Sequence, residues 1–183
     1  MSTIKVNNIS SRTGNAISFT SGDTITIPSG ATFTNNGTIN GLGANTPSFL
    51  AYQSSNQTVG SGTATKIQFD TKSFDTNSCY DNTTNYRFTP TVAGYYWLFI
   101  SIQINSADDF DNIQTLIYKN GSELAHANDR TEFYYVGKNF YLSYANGSTD
   151  YFEGYWRQDS GTNKDTNNGA VRTYFGGYRL IGE

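Results

Sequence analysis

The sequence predicts an all-β protein, and three observations carry that prediction. Aromatic residues make up 15% of the chain, as many as the charged residues, while Gly, Ser, Thr and Asn are abundant and Leu is scarce. That is the composition of pleated, half-buried surfaces joined by tight turns. Apolar residues recur at period two in short runs, not at helical spacing. The dipeptides Asn120-Gly121 and Asn146-Gly147 fall beside such runs, and Asn-Gly supplies the positive φ that tight hairpins require. A chain of 183 residues holds one or two domains, with room for a sizeable core.

Residues 1–46 stand apart. Only Lys5, Arg12 and Asp23 are charged there, and neither Tyr nor Trp occurs. The run from Gly41 to Pro47 reads as a flexible Gly-rich hinge, which gives an N-terminal part over 1–46 and a second domain over 47–183. Within the first part, Ile17, Ile25, Phe33 and Ile39 recur about every eight residues between turns such as Ser29-Gly30 and Asn36-Gly37. Each piece offers one or two inward side chains, too few for a core of its own. Two readings stay open: a short β anchor or stalk that stacks against other copies, or a partly disordered leader.

From residue 47 onward, alternation and turn signals predict strands over 48–53, 64–70, 84–89, 94–105, 112–119, 123–128, 138–146, 150–158 and 171–181. So many short strands joined by crossing loops predict a two-sheet jelly roll. The run 94–105 has a further property. Alternation places Tyr96, Leu98, Ile100, Ile102 and Ile104 on one side and Tyr95, Trp97 and Phe99 on the other. One side fills the core. The second apolar side needs cover, either from another segment of this chain or from other copies of it.

Catalysis finds little to stand on. His126 is the only histidine, there is no Gly-x-Ser-x-Gly elbow, and Cys79 has no basic neighbour in sequence. His126 reads as a hydrogen-bonded sheet residue and Cys79 as a small buried hydrophobe. Asp150, Glu153 and Asp159 do not converge as a hydrolytic carboxylate pair, since alternation points Glu153 away from Asp150. No cofactor is expected. The one hard-cation candidate is the acidic run Asp108, Asp109 and Asp111, with a solvated acidic turn as the competing reading. A net charge of −3 and no Lys/Arg cluster argue against nucleic acid. No apolar run spans a bilayer and no signal-peptide layout opens the chain, so synthesis in a cytoplasm is expected.

Phe69, Asp75, Tyr80, Phe88, Gly94, Tyr96, Leu98 and Ile100 stand at spacings that resemble the C1q domain signature. There is one extra residue between Tyr80 and Phe88, and Leu98 and Ile100 replace aromatics. Phe49-Leu50-Ala51, the run from Leu116 to Gly121 and the run from Tyr174 to Ile181 are similar to that family's opening, Asn-Gly and closing strands. The resemblance implies a C1q/TNF-like jelly roll and a compact homotrimer, with Tyr95, Trp97, Phe99 and Tyr141 as interface anchors. Some C1q-like domains bind Ca²⁺ near the trimer apex, which is where the acidic run would enter. The far-tip loops would carry Asn56, Gln57, Asp109, Phe110, Arg130, Tyr134, Asn163 and Lys164, either as an adaptable binding surface or as passive connections. Residues 2–9 and 22–28 resemble the openings of tailed-phage virion proteins. Taken together, the expectation is a non-enzymatic virion surface protein, a tail fibre or a capsid decoration. Residues 1–46 would dock it on other virion proteins, and its tip would meet a host glycan or protein. The alternative is a secreted C1q-like recognition module.

Overall fold

The structure, a computed structural model, describes residues 26, 28–32, 45–104, 112–129 and 136–181. The chain divides into two units, Met1–Gly41 and Leu42–Glu183. The anchor expected over 1–46 falls almost wholly outside the described residues. Within it a turn is described at Pro28–Ala31, closed by the Ala31 N–H donating to the Pro28 carbonyl at 3.0 Å.

Thirteen strands and no helix occur among the described residues. In chain order they are β1 (Ser48–Tyr52), β2 (Thr58–Val59), β3 (Thr65–Lys66), β4 (Thr71–Asp75), β5 (Tyr80–Asp81), β6 (Arg87–Phe88), β7 (Ala93–Gln103), β8 (Ile113–Lys119), β9 (Ser122–Asp129), β10 (Val136–Asn146), β11 (Phe152–Gln158), β12 (Lys164–Asp165) and β13 (Tyr174–Arg179). One sheet has the order β10-β7-β13-β1-β4 and the other β5-β6-β11-β8-β9, with β3 also paired to β11. A short ribbon joins β2 to β12. The last strand lies between the first and the seventh, so the chain crosses repeatedly between sheets as a jelly roll does.

The two sheets close on an aromatic core. Phe49 stacks on Phe88 at 4.3 Å and on Tyr80 at 4.9 Å, and meets Phe175 edge-on at 5.1 Å. Phe88 in turn meets Tyr96 and Phe152. The signature positions Phe69, Tyr80, Phe88, Tyr96, Leu98 and Ile100 are all buried in this core. Leu98 and Ile100 each pack over a glycine, whose missing side chain leaves the space they fill. A Cβ on Gly177 would stand 2.8 Å from Leu98 Cδ2, and one on Gly154 would stand 2.6 Å from Ile100 Cδ1. Asp75 plays a different part. Its carboxylate accepts the Cys79 N–H at 2.9 Å and the Tyr80 N–H at 3.1 Å and pairs with Lys72 at 3.1 Å, fixing the turn that brings Tyr80 into the core.

The strand expected over 64–70 is shorter and displaced. Only Thr65–Lys66 pairs with β11, while β4, just after it, forms the edge of the first sheet beside β1. The middle residues of β4 are exposed, so its sequence carries no core-facing alternation to read. The additional two-residue strands β2, β5 and β12 are too short for any period to register.

Candidate interaction surfaces

The first sheet turns its second side to solvent, and register defines what lies there. Phe140 of β10, Phe99 of β7, Gly176 of β13, Leu50 of β1 and Phe74 of β4 are consecutive cross-strand partners. They form one row across all five strands, about 19 Å at the usual strand spacing. The adjacent row holds Leu142, Trp97, Tyr178 and Ser48, and beyond it Tyr144 faces Tyr95. Ring contacts knit the rows: Trp97 stacks on Phe140 at 5.5 Å, Tyr95 meets Tyr144 edge-on at 5.5 Å, and Phe99 meets Tyr174 at 6.3 Å. Gly176 makes room for Phe99, whose ring carbon lies 2.4 Å from where a Cβ would sit.

This face is apolar and open. Phe140 is 64% exposed and Tyr95 44%, and Leu142, Tyr144 and Phe74 are exposed as well, while Trp97 and Phe99 are half-buried under their neighbours. A contiguous apolar patch of this kind marks an interaction site. Tyr95, Trp97 and Phe99 therefore lie together, as alternation placed them. Tyr141 does not join them. Its cross-strand partner is Leu98, a core residue, so it belongs to the opposite side of the sheet. The residues of β10 that share the face are Phe140, Leu142 and Tyr144. Alternation within one strand cannot choose between these two sets, because the choice depends on register with β7.

The loops at the other end of β1, β7 and β11 from the Pro47 entry are tied by amide and hydroxyl side chains. Gln53, Gln158, Thr166 and Thr173 are buried there. The Thr166 hydroxyl donates to Gln53 Oε1 at 2.7 Å, and Gln158 Nε2 donates to the Val59 and Thr162 carbonyls. Gln57 is part of this bracing and is not presented for binding. Its Nε2 donates to the Lys66 carbonyl at 2.8 Å, and its Oε1 accepts from the Gln68 N–H at 2.9 Å and from Gln53 Nε2. Asn56 is exposed and accepts the Asn168 N–H at 2.9 Å, Asn163 is exposed, and Lys164 is half-buried at the start of β12. Asp108, Asp109, Phe110, Asp111, Arg130 and Tyr134 lie outside the described residues.

The remaining polar groups are occupied in ways that hold the fold. His126 is an exposed β9 residue with Nδ1 2.6 Å from Glu123 Oε1. Cys79 is buried, with Sγ 3.5 Å from the Thr91 hydroxyl. Glu153 pairs with Lys66 at 2.6 Å and Asp150 with Lys119 at 3.0 Å, so each carboxylate has its own cation. Asp150 is held below the usual carboxylate range chiefly by the Asn120 amide. On the second sheet's outer side, Tyr118 and Tyr155 stack at 4.0 Å. Burial and then the Glu153 charge push the Tyr155 phenol up to about 12. No group of three or more His, Cys, Asp or Glu among the described residues is placed to hold a metal ion.

No family model and no curated protein matches this sequence. Solved structures match it in fold. The crystal structure of murine APRIL at pH 5.0 superposes with a TM-score of 0.57 at 9% identity, covering 73% of this chain and 98% of that one. The globular domain of zebrafish complement 1qA protein gives 0.52 at 13% identity, covering 75% and 98%. The chain therefore has the TNF/C1q-like jelly-roll fold. Identities this low speak to fold alone.

Proposed function

We propose that this chain is a non-enzymatic binding protein that assembles as a homotrimer through the aromatic face of its first sheet. The single observation that carries the reading is the open row Phe140–Phe99–Leu50–Phe74 with Leu142, Trp97, Tyr144 and Tyr95 beside it. Leaving that much apolar surface wet is costly, and aromatic residues at its centre are what buried interfaces select. The likeness to TNF and C1q-type jelly rolls, a class that trimerises, supports three copies over two. Within this reading the protein is a knob on a virion surface. Residues 1–46 dock it on other virion proteins, and the far loops, with Asn56 and Asn163 outward, meet a host glycan or protein. The support for the virion role is the likeness of residues 2–9 and 22–28 to phage virion openings.

Light scattering of the eluting intact chain tests the assembly: a mass three times the 20.2 kDa of one chain is expected, and a monomeric mass at micromolar concentration overturns it. Jelly-roll density at threefold positions of an imaged virion is the expected result for the second half, and absence of the chain from purified particles overturns that half alone.

A further inference from the structure

At one end of the aromatic face lies a depression of about 310 Å³ lined by Ala93, Gly94, Tyr95, Tyr144 and Arg179. We propose that it is a carboxylate-binding site with Arg179 as the receiving group, filled either by a free carboxylate anion or by an acidic side chain of a second copy. The first argument is an orphaned donor. Arg179 Nε is buried and has no hydrogen-bond partner. Native structures leave few buried polar groups unmet, and of those without a partner among the described residues (Tyr80 Oη, Thr115 Oγ1, Trp156 Nε1 and Arg179 Nε) only Arg179 Nε belongs to a residue that lines the depression. The second is charge. Arg179 takes part in none of the ion pairs among the described residues, a condition it shares with Arg87, Arg157 and Arg172, but it is the cation that lines the depression, and no acid lines it.

Shape and chemistry agree with a carboxylate as the acceptor for Arg179. The guanidinium is a planar fork that takes a carboxylate through parallel N–H···O bonds, and it keeps its charge at every working pH. The edge-on Tyr95–Tyr144 pair forms an aromatic wall beside it. The backbone around the site is pinned. The Arg179 N–H donates to the Pro47 carbonyl at 3.2 Å, and the Leu180 N–H to the Tyr95 carbonyl at 2.8 Å. Gly94, at φ +145°, keeps side-chain bulk off the floor. The free-anion source stands without the trimer; the second-copy source rests on the proposed assembly, since the depression adjoins the face that would be shared.

The test uses the intact chain labelled with [¹⁵N]arginine, with the Arg179 Nε–H resonance assigned by Arg179→Lys. Sodium acetate is titrated against sodium chloride at equal ionic strength, and the protein is separately diluted through its dissociation range. A free-anion site gives a saturable shift with acetate and none with chloride. A site filled by a second copy gives a resonance that moves on dilution without acetate. A resonance that ignores both treatments overturns the proposal, and if the mass is threefold in that case the trimer stands without the pocket. Acetate binding to a protein of monomeric mass keeps the pocket and sinks the trimer.

Discussion

Replacing Phe140 by Ala removes the most exposed large ring of the aromatic face. Burying a Phe side chain fully contributes about 1.5–3 kcal/mol. Since 64% of this one is open in the single chain, sheltering it in an assembly contributes about 1–2 kcal/mol per copy, or about 3–6 kcal/mol for three copies. At about 1.4 kcal/mol per factor of ten, Phe140→Ala lowers the trimer formation constant by about a hundredfold to ten-thousandfold. The cost to the lone subunit is smaller, about 0.5–1.5 kcal/mol for the lost ring contact with Trp97. Sedimentation equilibrium over a dilution series, with far-ultraviolet circular dichroism confirming that the fold persists, reads the effect. Tyr141→Ala is the matched control, because Tyr141 is 41% exposed on the same strand yet lies on the opposite side; it leaves the constant nearly unchanged. A Phe140→Ala protein that assembles like the parent, or a Tyr141→Ala protein that falls apart more readily, refutes the register argument.

Other expectations follow from the polar contacts. Asp75→Ala strips the acceptor from the Cys79 and Tyr80 N–H groups and costs about 2–4 kcal/mol in a chemical-denaturation midpoint; an unchanged midpoint would mean the turn holds itself. The Asp81 carboxylate is kept well below the usual carboxylate range, first by the Thr84 N–H, then by the Thr83 N–H, and Asp150 is lowered as well. Depressed carboxylates stabilise fully above their unfolded value and lose that contribution as pH falls from there to the lower folded value, so stability drops progressively below about pH 4; Asp81→Asn flattens that drop in a thermal-melt series. Tyr155 is pushed up to about 12, so the folded state keeps a proton that the unfolded state releases above about pH 10. Stability therefore declines from that pH upward, and Tyr155→Phe makes the decline shallower.

How much was legible in sequence varied with how local the cause was. Tyr96 is readable because alternation within β7 alone sets it with Leu98 and Ile100, whereas Tyr80 and Phe88, in strands of two residues, are reached through the spacing they share with the C1q signature. Asn120 and Gly121 announced their hairpin because both adopt positive φ, at +54° and +77°. The pairing of Tyr95, Trp97 and Phe99 on one side needed only alternation within β7. Which β10 residues join them depends on the register between strands separated by more than thirty residues, so sequence alone points to Tyr141 where the pairing puts Phe140, Leu142 and Tyr144. The bracing role of Gln57 is hidden in the sequence for another reason. A polar loop residue reads as solvent-facing, yet its amide spans three internal partners that sequence spacing does not reveal. Arg179 carried no sequence signal, since its isolation is a property of the space around it.

The claim on which the account turns is that the aromatic face of the first sheet is covered by other copies. Hydroxyl-radical footprinting of the intact protein, followed by mass spectrometry, measures this residue by residue. Val171, 87% exposed, should oxidise readily at every concentration. Phe140, Leu142 and Tyr144 should be protected in the assembled protein and become reactive as dilution brings the mass down to that of one chain. Ready oxidation of Phe140 in the concentrated protein, matching its exposure in a single subunit, would contradict the account.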